Sequence, residues 1–317
     1  MKHPATLLLL LVLSAWRPLG AAAQTEPVTA TATTVAAVVP DSLWKKSFTT
    51  ALNFQETTLS SNWRGGGVNS LGLNASLNAK ADYQQGIHSW DNQADLLYAF
   101  VSNKGQGYRK SLDRIYLDTK YGRALNPKWD MFVSLNLLTQ FAPGYKYSDD
   151  GNGQQRAQLV SSTFAPAFLT AAYGFEYHPT SYFKLRLSPF APRLTVVNRP
   201  ERFVAALGAT PYGVRPGHST RFEVLAAQAL AEFDKDIATN MNLKARYLLF
   251  ANYGSDFALR RIDHRLDAGL TAKVNRYINV ALTGILLYDY DQDKAVQYSQ
   301  GLTLGLVYSV QNFKERK

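Results

Sequence analysis

From Trp44 onward, apolar and polar residues alternate with a period of two. In Ser70–Tyr83 one face carries Leu71, Leu73, Ala75, Leu77, Ala79, Ala81 and Tyr83, and the other Ser70, Gly72, Asn74, Ser76, Asn78, Lys80 and Asp82. A strand sends successive side chains to opposite faces, whereas a helix would spread both sets around its surface. The pattern recurs. Trp129, Met131, Val133, Leu135 and Leu137 alternate with Asp130, Ser134 and Asn136; Leu243, Ala245, Tyr247 and Leu249 alternate with Lys244 and Arg246; Leu266, Ala268, Leu270 and Ala272 alternate with Arg265, Asp267, Thr271 and Lys273. Twelve such segments are predicted, at 46–57, 68–83, 88–102, 110–122, 128–141, 166–177, 182–197, 219–234, 240–253, 262–274, 276–289 and 297–309. Pro189 and Pro192 interrupt the seventh and imply a bulge or bend. The eighth, Val224 to Phe233, is rich in alanine and reads as a helix almost as well.

The connections divide by length. QQGI, ALNP, HPTS and NR follow the second, fourth, sixth and tenth segments, while LSSNWRGGG, NKGQGYRK, 142–165 and 198–218 join the odd-numbered ones onward. Short turns at one end and long loops at the other is the arrangement of an outer-membrane barrel. Aromatic residues cluster at both ends: Trp44, Tyr83, Trp90, Tyr121, Trp129, Tyr177, Phe183, Phe233, Tyr277 and Tyr308 by the turns, and Phe54, Phe100, Phe141, Tyr253 and Tyr288 by the loops. Two belts of rings suit the two headgroup zones of a bilayer. A soluble sandwich is the alternative, but it buries both apolar faces inside and seldom has such polar opposite faces along ten-residue strands. The expected fold is therefore all-β: a transmembrane, antiparallel, up-and-down β-barrel of about twelve strands with periplasmic termini.

Composition agrees with an apolar outside and a wet inside. Of 317 residues, 46% are hydrophobic, 12% aromatic and 18% charged, with mean hydropathy −0.20. That excludes a bundle of apolar transmembrane helices and a disordered chain. Cysteine is absent, which removes disulfides, thiol nucleophiles and thiolate metal ligands. The start has the order of an export signal: Lys2-His3, the apolar run Leu7–Leu13, then Ala21-Ala22-Ala23, with Arg17 unusually placed between them. The expected organisation is a cleaved signal peptide at 1–23, a periplasmic linker at 24–43, the barrel at 44–309 and a tail at 310–317. The expected location is the outer membrane of a Gram-negative cell.

Several stretches resemble an exported family known only as domain of unknown function 3078. They are Trp44-Lys45-Lys46, Ser61-Asn62-Trp63 before Gly65-Gly66, His88-Ser89-Trp90-Asp91-Asn92, Arg109-Lys110 with Asp113-Arg114, Thr139-Gln140-Phe141-Ala142-Pro143-Gly144-Tyr145, and Ser188-Pro189. The resemblance implies an outer-membrane β-barrel and brings no activity with it. The ending departs from the usual pattern: the chain runs past Tyr308 as SVQNFKERK, leaving Tyr308 or Phe313 as the terminal aromatic.

Function then falls to the lumen and the loops. The candidate lumen-lining residues are Lys80, Asp82, Asp95, Arg114, Asp118, Lys120, Glu176, Lys184, Arg186, Lys244, Arg246, Arg265, Asp267 and Lys273, with Asp91 and Asp130 as further inward acids. Carboxylates concentrate on segments two to five and cations on seven, nine and ten. Facing ladders of opposite sign would set a transverse field across a pore. Internal salt bridging that fills a narrow barrel is the other reading. Leu97, Phe132, Leu138, Leu248, Phe250, Ile285 and Leu287 also fall inward, as packing or as the wall of an apolar site.

The loops are basic, with Lys104, Arg109, Lys110, Lys146, Arg156, Arg199, Arg202, Arg215, Arg260 and Arg261. This suits outer-membrane lipids and lipopolysaccharide, which with the barrel-assembly machinery are the expected partners. Nucleic acid is disfavoured, because the cations are spread around an exported barrel. No enzyme, cofactor or metal site is expected. Of the five histidines, only His218 and His264 fall near the loop rim, beside Ser219, Asp256 and Asp263. Asp149-Asp150-Gly151-Asn152 reads as a polar turn before a calcium loop. The expected function is a passive channel or small-solute transporter. A structural or accessory barrel that binds lipopolysaccharide or protein is the second reading, and a rim-located lipid hydrolase the third.

Overall fold

The computed structural model describes residues 43–57, 70–103, 105–149, 155–254, 258–291 and 293–313. The signal segment, the linker up to residue 42, the Trp63 motif, Lys104, Asp256 and most of the Asp149–Asn152 turn lie outside the described residues. Sixteen strands follow one another. They are β1 (Trp44–Thr57), β2 (Ser70–Gln85), β3 (His88–Asn103), β4 (Gly107–Asn126), β5 (Trp129–Thr139), β6 (Gly144–Asp149), β7 (Gln155–Ser161) and β8 (Ala167–Thr180). Then come β9 (Phe183–Phe190), β10 (Arg193–Val196), β11 (Thr220–Glu223), β12 (Ala226–Ala238), β13 (Met241–Asn252), β14 (Asp263–Lys273), β15 (Ile278–Asp289) and β16 (Asp293–Gln311).

Fourteen of these form one antiparallel sheet that closes on itself. β1 pairs with β16, Thr50 opposite Tyr308, and β8 pairs with β9, Glu176 opposite Arg186. Two pairs of strands are single staves with a bend: β9 continues as β10, and β11 as β12. The barrel thus has the twelve staves that the period-two segments predict. Closure removes free sheet edges, which a hydrocarbon layer would leave without hydrogen-bond partners.

The bend in the seventh stave has a local cause. Pro192 has no N–H to give the ladder, but its carbonyl accepts from Ala171, and the Ala191 N–H turns to the Ala226 carbonyl. Opposite the bend, Gly174 lets β9 cross β8 closely; a Cβ there would run into the backbone of Leu187 and Ser188. The alanine-rich eighth segment is strand, not helix, because both neighbours hold it: Glu232 lies opposite Lys184 on one side and Arg246 on the other.

The ends differ as expected, with two refinements. Gly86-Ile87, residues 127–128, Ser181-Tyr182 and Thr239-Asn240 make short turns, and both barrel termini stand at that end. At the other end NKGQGYRK is no open loop, since β3 and β4 run on through it to a tight turn. The stretch 142–165 contains the hairpin β6–β7. The last strand also extends to Gln311, two residues into the predicted tail.

The burial pattern is inside out. Asp95, Arg114, Lys120, Glu176, Arg265 and Asp267 are buried, whereas Leu71, Leu96, Leu117, Val133, Leu135, Leu282, Leu302 and Leu306 are exposed on the outer face. A continuous exposed band of this kind is far larger than the apolar patches of soluble monomers and is the lipid-facing surface of a membrane barrel. The ring belts close its borders. Trp44 packs on Tyr83 at 5.2 Å and on Trp90 at 6.1 Å, and Trp129 on Tyr177 at 4.8 Å, all near the turns. Tyr98 and Phe141 meet at 5.1 Å near the loops. No described helix is long and apolar enough to cross a membrane.

Candidate functional site: the barrel lumen

Inward charges must pair or stay wet, and here they do both. The most buried group is formed by Lys120 and Glu176. Lys120 Nζ donates to both carboxylate oxygens at 2.9 and 2.8 Å and stands 2.9 Å from Asp91 Oδ2. Glu176 also accepts from Arg186 Nε at 2.9 Å, and Arg186 Nη1 reaches Asp118 Oδ2 at 3.1 Å. β5 lies between β4 and β8, with Ser134 opposite Lys120 and Asp130 opposite Glu176, and the two staves join across it.

Three cavities follow one another along the lumen. The turn-side cavity has a volume of 340 Å³ and is walled by Lys80, Asp82, Asp91, Asp95, Arg114, Asp118, Lys184, Arg186, Glu232, Asp234, Lys244, Arg246 and Asp267. A central cavity of 100 Å³ shares Arg246 and Asp267 with it and adds Tyr116, Leu138, Arg193, Leu248, Phe250, Asp263, Arg265 and Asp289. A loop-side cavity of 460 Å³ shares Phe250 and Asp263 with the central one and is lined by Arg215, His218, Arg221, Glu223, Arg261 and Asp291.

The partitions between them are arginines. Arg246, on β13, donates through Nη2 to the Tyr116 hydroxyl on β4 at 2.7 Å, and its guanidinium lies 4.7 Å from that ring's centre. These staves are nearly opposite each other in the barrel, so this contact spans the lumen. Further up, the Arg193 guanidinium stacks 3.3 Å from the centre of the Phe250 ring, with Nη1 3.4 Å from Asp263 Oδ2. Cation–π contact and a charged partner together favour such a placement.

Ten of the predicted lumen residues therefore meet in the turn-side cavity: Lys80, Asp82, Asp95, Arg114, Asp118, Lys184, Arg186, Lys244, Arg246 and Asp267. Lys120 and Glu176 sit beside it as the buried pair. Arg265 lines the central cavity and binds Asp267 at 2.8 Å. Lys273 shares the inward parity of β14 at its turn end and is half-buried there, opposite Asn279. Of the inward apolar residues, Leu97, Phe132, Phe250, Ile285 and Leu287 are buried, and Leu138 and Leu248 line the central cavity.

The expected separation of signs does not hold. Glu232 and Asp234 stand among the cations, with Arg246 Nε 3.7 Å from Glu232 and Lys244 Nζ 3.0 Å from Asp234. Arg114 in turn lies 3.5 Å from Asp95 on the acidic side. The signs are interleaved, so no simple transverse field crosses this lumen. Glu232 and Asp234 escaped the sequence reading because the eighth segment was ambiguous; once AAQALAEFDKDIA is read as a strand, alternation places both inward. Tyr116 and Arg193 escaped it because nothing local distinguishes a residue that spans a barrel.

The loop end is structured by motif residues. Lys110 Nζ donates to Asp113 at 3.0 Å, Gln140 at 3.0 Å and the Ala142 carbonyl at 2.5 Å. Asp113 accepts from the Phe141 and Ala142 N–H groups, and Gln140 donates to the Ala165 carbonyl at 3.3 Å. This buried clamp bends the chain from β5 into β6. Beyond it Ala165, Val197, Phe203 and Val214 form a small fully buried core between the two long loops. Arg109, one of the basic loop residues, stacks on Tyr147 at 4.0 Å.

The rim histidine faces away from the acid beside it. His264 Nδ1 lies 2.7 Å from the Tyr247 hydroxyl on the outer surface, while Asp263 faces the lumen. Adjacent strand residues point to opposite faces, so these two do not form a pair. Among the described residues no cluster of three His, Asp or Glu side chains is placed to hold a metal ion.

The family described as protein of unknown function (DUF3078) matches residues 54–145, the span that holds the Trp90, Lys110 and Phe141 motifs. The resemblance read from those motifs is borne out there. No curated protein matches the chain. Among solved structures, an outer membrane channel from Pseudomonas putida F1 is similar at 10% identity and TM-score 0.40, over 87% of this chain and 100% of that one. The NanC porin is similar at 10% identity and TM-score 0.38, over 84% and 100%. The translocator domain of the autotransporter NalP from Neisseria meningitidis is similar at 11% identity and TM-score 0.36, over 85% and 89%.

Proposed function

We propose that the protein is a barrel of the Gram-negative outer membrane, its turn end and termini in the periplasm, and that it conducts small polar solutes through a narrow, partitioned lumen. One observation carries this reading: the turn-side, central and loop-side cavities share walls in sequence, and side chains rather than backbone divide them. A plug built of chain would be permanent. A strut such as Arg246–Tyr116 yields by rotamer change, on the time scale of side-chain motion. The passage is small, and a low conductance follows.

Reconstitution in planar bilayers tests it. Discrete low-conductance steps that rise in Arg246→Ala, where the strut is removed, support the channel. A bilayer that stays silent for both proteins overturns it. The ion pairs that cross between staves favour the second reading, a structural or accessory barrel whose ordered basic loops contact lipopolysaccharide. A silent bilayer together with loop-dependent lipopolysaccharide binding would establish that one. The protein is proposed to have no catalytic role, and a lipid-hydrolysis assay on the reconstituted barrel checks this directly.

A further inference from the structure

One sector of the lumen wall carries no charge. It runs from β15 through β16 and β1 to the loop half of β2. Its inward residues, at alternate positions in Asn279–Leu287, Gly301–Ser309, Ser47–Gln55 and Ser70–Asn78, are all uncharged and mostly small. The ion pairs and arginine struts described above all stand on β3 to β14. Small side chains on one wall leave room beside it, and a further cavity of 300 Å³ lies there, in the loop half of the barrel.

No described residue that lines this cavity is ionisable. Its polar side chains include Asn53 and Gln55 on β1, Asn74 and Ser76 on β2, Thr283 on β15 and Thr303 on β16. Gly72 and Gly301 line it without side chains, so the wall recedes at both. Beside the polar groups stand Ala99, Val101, Leu112 and Ile285. One of the amides has unmet capacity: Asn74 Oδ1 is buried and accepts no hydrogen bond from a described residue. With no bond to hold it, the amide can turn about Cβ–Cγ and offer that oxygen to the cavity. Buried polar groups ordinarily have a partner, so the site calls for a polar occupant.

The wall selects what that occupant is. Amides and hydroxyls both donate and accept, as do the hydroxyls of a sugar or polyol. An ion would shed water here with no opposite charge against it. An apolar solute would leave the amides without partners. The aliphatic residues suit the C–H face of a sugar ring, and the volume stands at the lower end of the range of ligand pockets. We propose that this cavity binds an uncharged polyhydroxy solute of about monosaccharide size. The site rests on the reading of the lumen as a solute path and names the class of solute that path takes.

Binding and passage are measured separately. Saturation-transfer NMR on the purified protein, in a detergent without a sugar headgroup, is run with D-glucose and with sodium acetate. Swelling of proteoliposomes in isosmotic D-glucose reads passage. Wild type should transfer saturation to glucose and not to acetate. Asn53→Ala/Asn74→Ala should bind glucose about tenfold more weakly, as loss of two hydrogen bonds gives. Gly72→Leu should fill the cavity, losing binding and slowing the swelling. It should still fold, because a Cβ there meets only ordinary contacts, the nearest being Gln55 Cβ at 3.5 Å. Lys128→Gln, in an exposed turn, should behave as wild type. No transfer to glucose in wild type, transfer to acetate as strong as to glucose, or binding unchanged in both cavity variants would overturn the site. Glucose swelling without glucose binding would overturn the site and leave the channel standing. Variant-sensitive binding without swelling would overturn the channel and leave the site standing.

Discussion

Glu176→Gln tests how dry the lumen is beside the turn-side cavity. Glu176 and Lys120 are each 2% exposed, and the carboxylate accepts from Lys120 at 2.9 and 2.8 Å and from Arg186 at 2.9 Å. The amide keeps the shape and one acceptor oxygen but removes the charge. Breaking a buried pair by taking away one partner costs about 3–5 kcal/mol, chiefly because the other charge is stranded. Here neither cation is wholly stranded: Lys120 keeps Asp91 at 2.9 Å and Arg186 keeps Asp118 at 3.1 Å. The lower end applies, about 3 kcal/mol or roughly two decades in the unfolding constant. Guanidinium unfolding in micelles, followed through tryptophan fluorescence, reads this directly. Lys120→Met/Glu176→Leu should return to within about 1 kcal/mol of wild type, since apolar replacement of a buried pair is often neutral. A loss of only about 0.5 kcal/mol in Glu176→Gln would refute the reasoning. It would mean that water screens the pair as it does at a surface, and that the open lumen runs through this wall rather than beside it.

Three other perturbations probe the barrel. Leu282→Arg, on the exposed face of β15, should cost about 2–4 kcal/mol if that face meets hydrocarbon; unchanged unfolding in lipid would show that it does not. Gly174→Ala drives a Cβ into the β9 backbone and should reduce or abolish the folded form seen by heat-dependent gel mobility, whereas Gly284→Ala, with open space at its Cβ, should fold normally. Tyr212 donates to the Val160 carbonyl at 2.7 Å, and burial, then nearby Asp289, holds its phenol above the ordinary value. The undocked loop therefore loses this proton first, so loop docking is fully stable below about pH 10 and weakens above it. Proteolysis of the 197–219 loop should rise with alkaline pH in wild type, and Tyr212→Phe should be nicked faster at neutral pH but lack that alkaline increase.

Most of the fold was legible because a membrane barrel writes its two faces into alternate residues. Leu71, Leu73 and Leu77 are outside and Ser70, Asn74 and Lys80 inside for one reason, the pleat, and no tertiary detail is needed to say so. Legibility failed where that signal thins. Residues 224–233 place small alanines on the outer face, which suit helix and strand alike, and only pairing with β9 and β13 decides between them. The β6–β7 hairpin was hidden in a long polar loop, and the Ala165–Phe203–Val214 core joins two loops whose contact no local pattern announces.

The lumen was legible as a set of residues but not as a set of roles, and the difference lies in arginine against lysine. Alternation places both inward and cannot tell them apart. Arginine carries a rigid fork of donors and a face that stacks, so one side chain can hold groups on separate staves. Arg186 joins Glu176 on β8 to Asp118 on β4, Arg246 lies on the Tyr116 ring while bonding its hydroxyl, and Arg193 covers Phe250 while reaching Asp263. Lys120 and Lys244 pair with acids nearer by, and Lys80 and Lys184 with none. Struts and unpaired cations are thus chemically different populations in one lumen. Which arginine spans and which lysine stays free depends on register across staves that are distant in sequence, and that information is present only when the cylinder is closed.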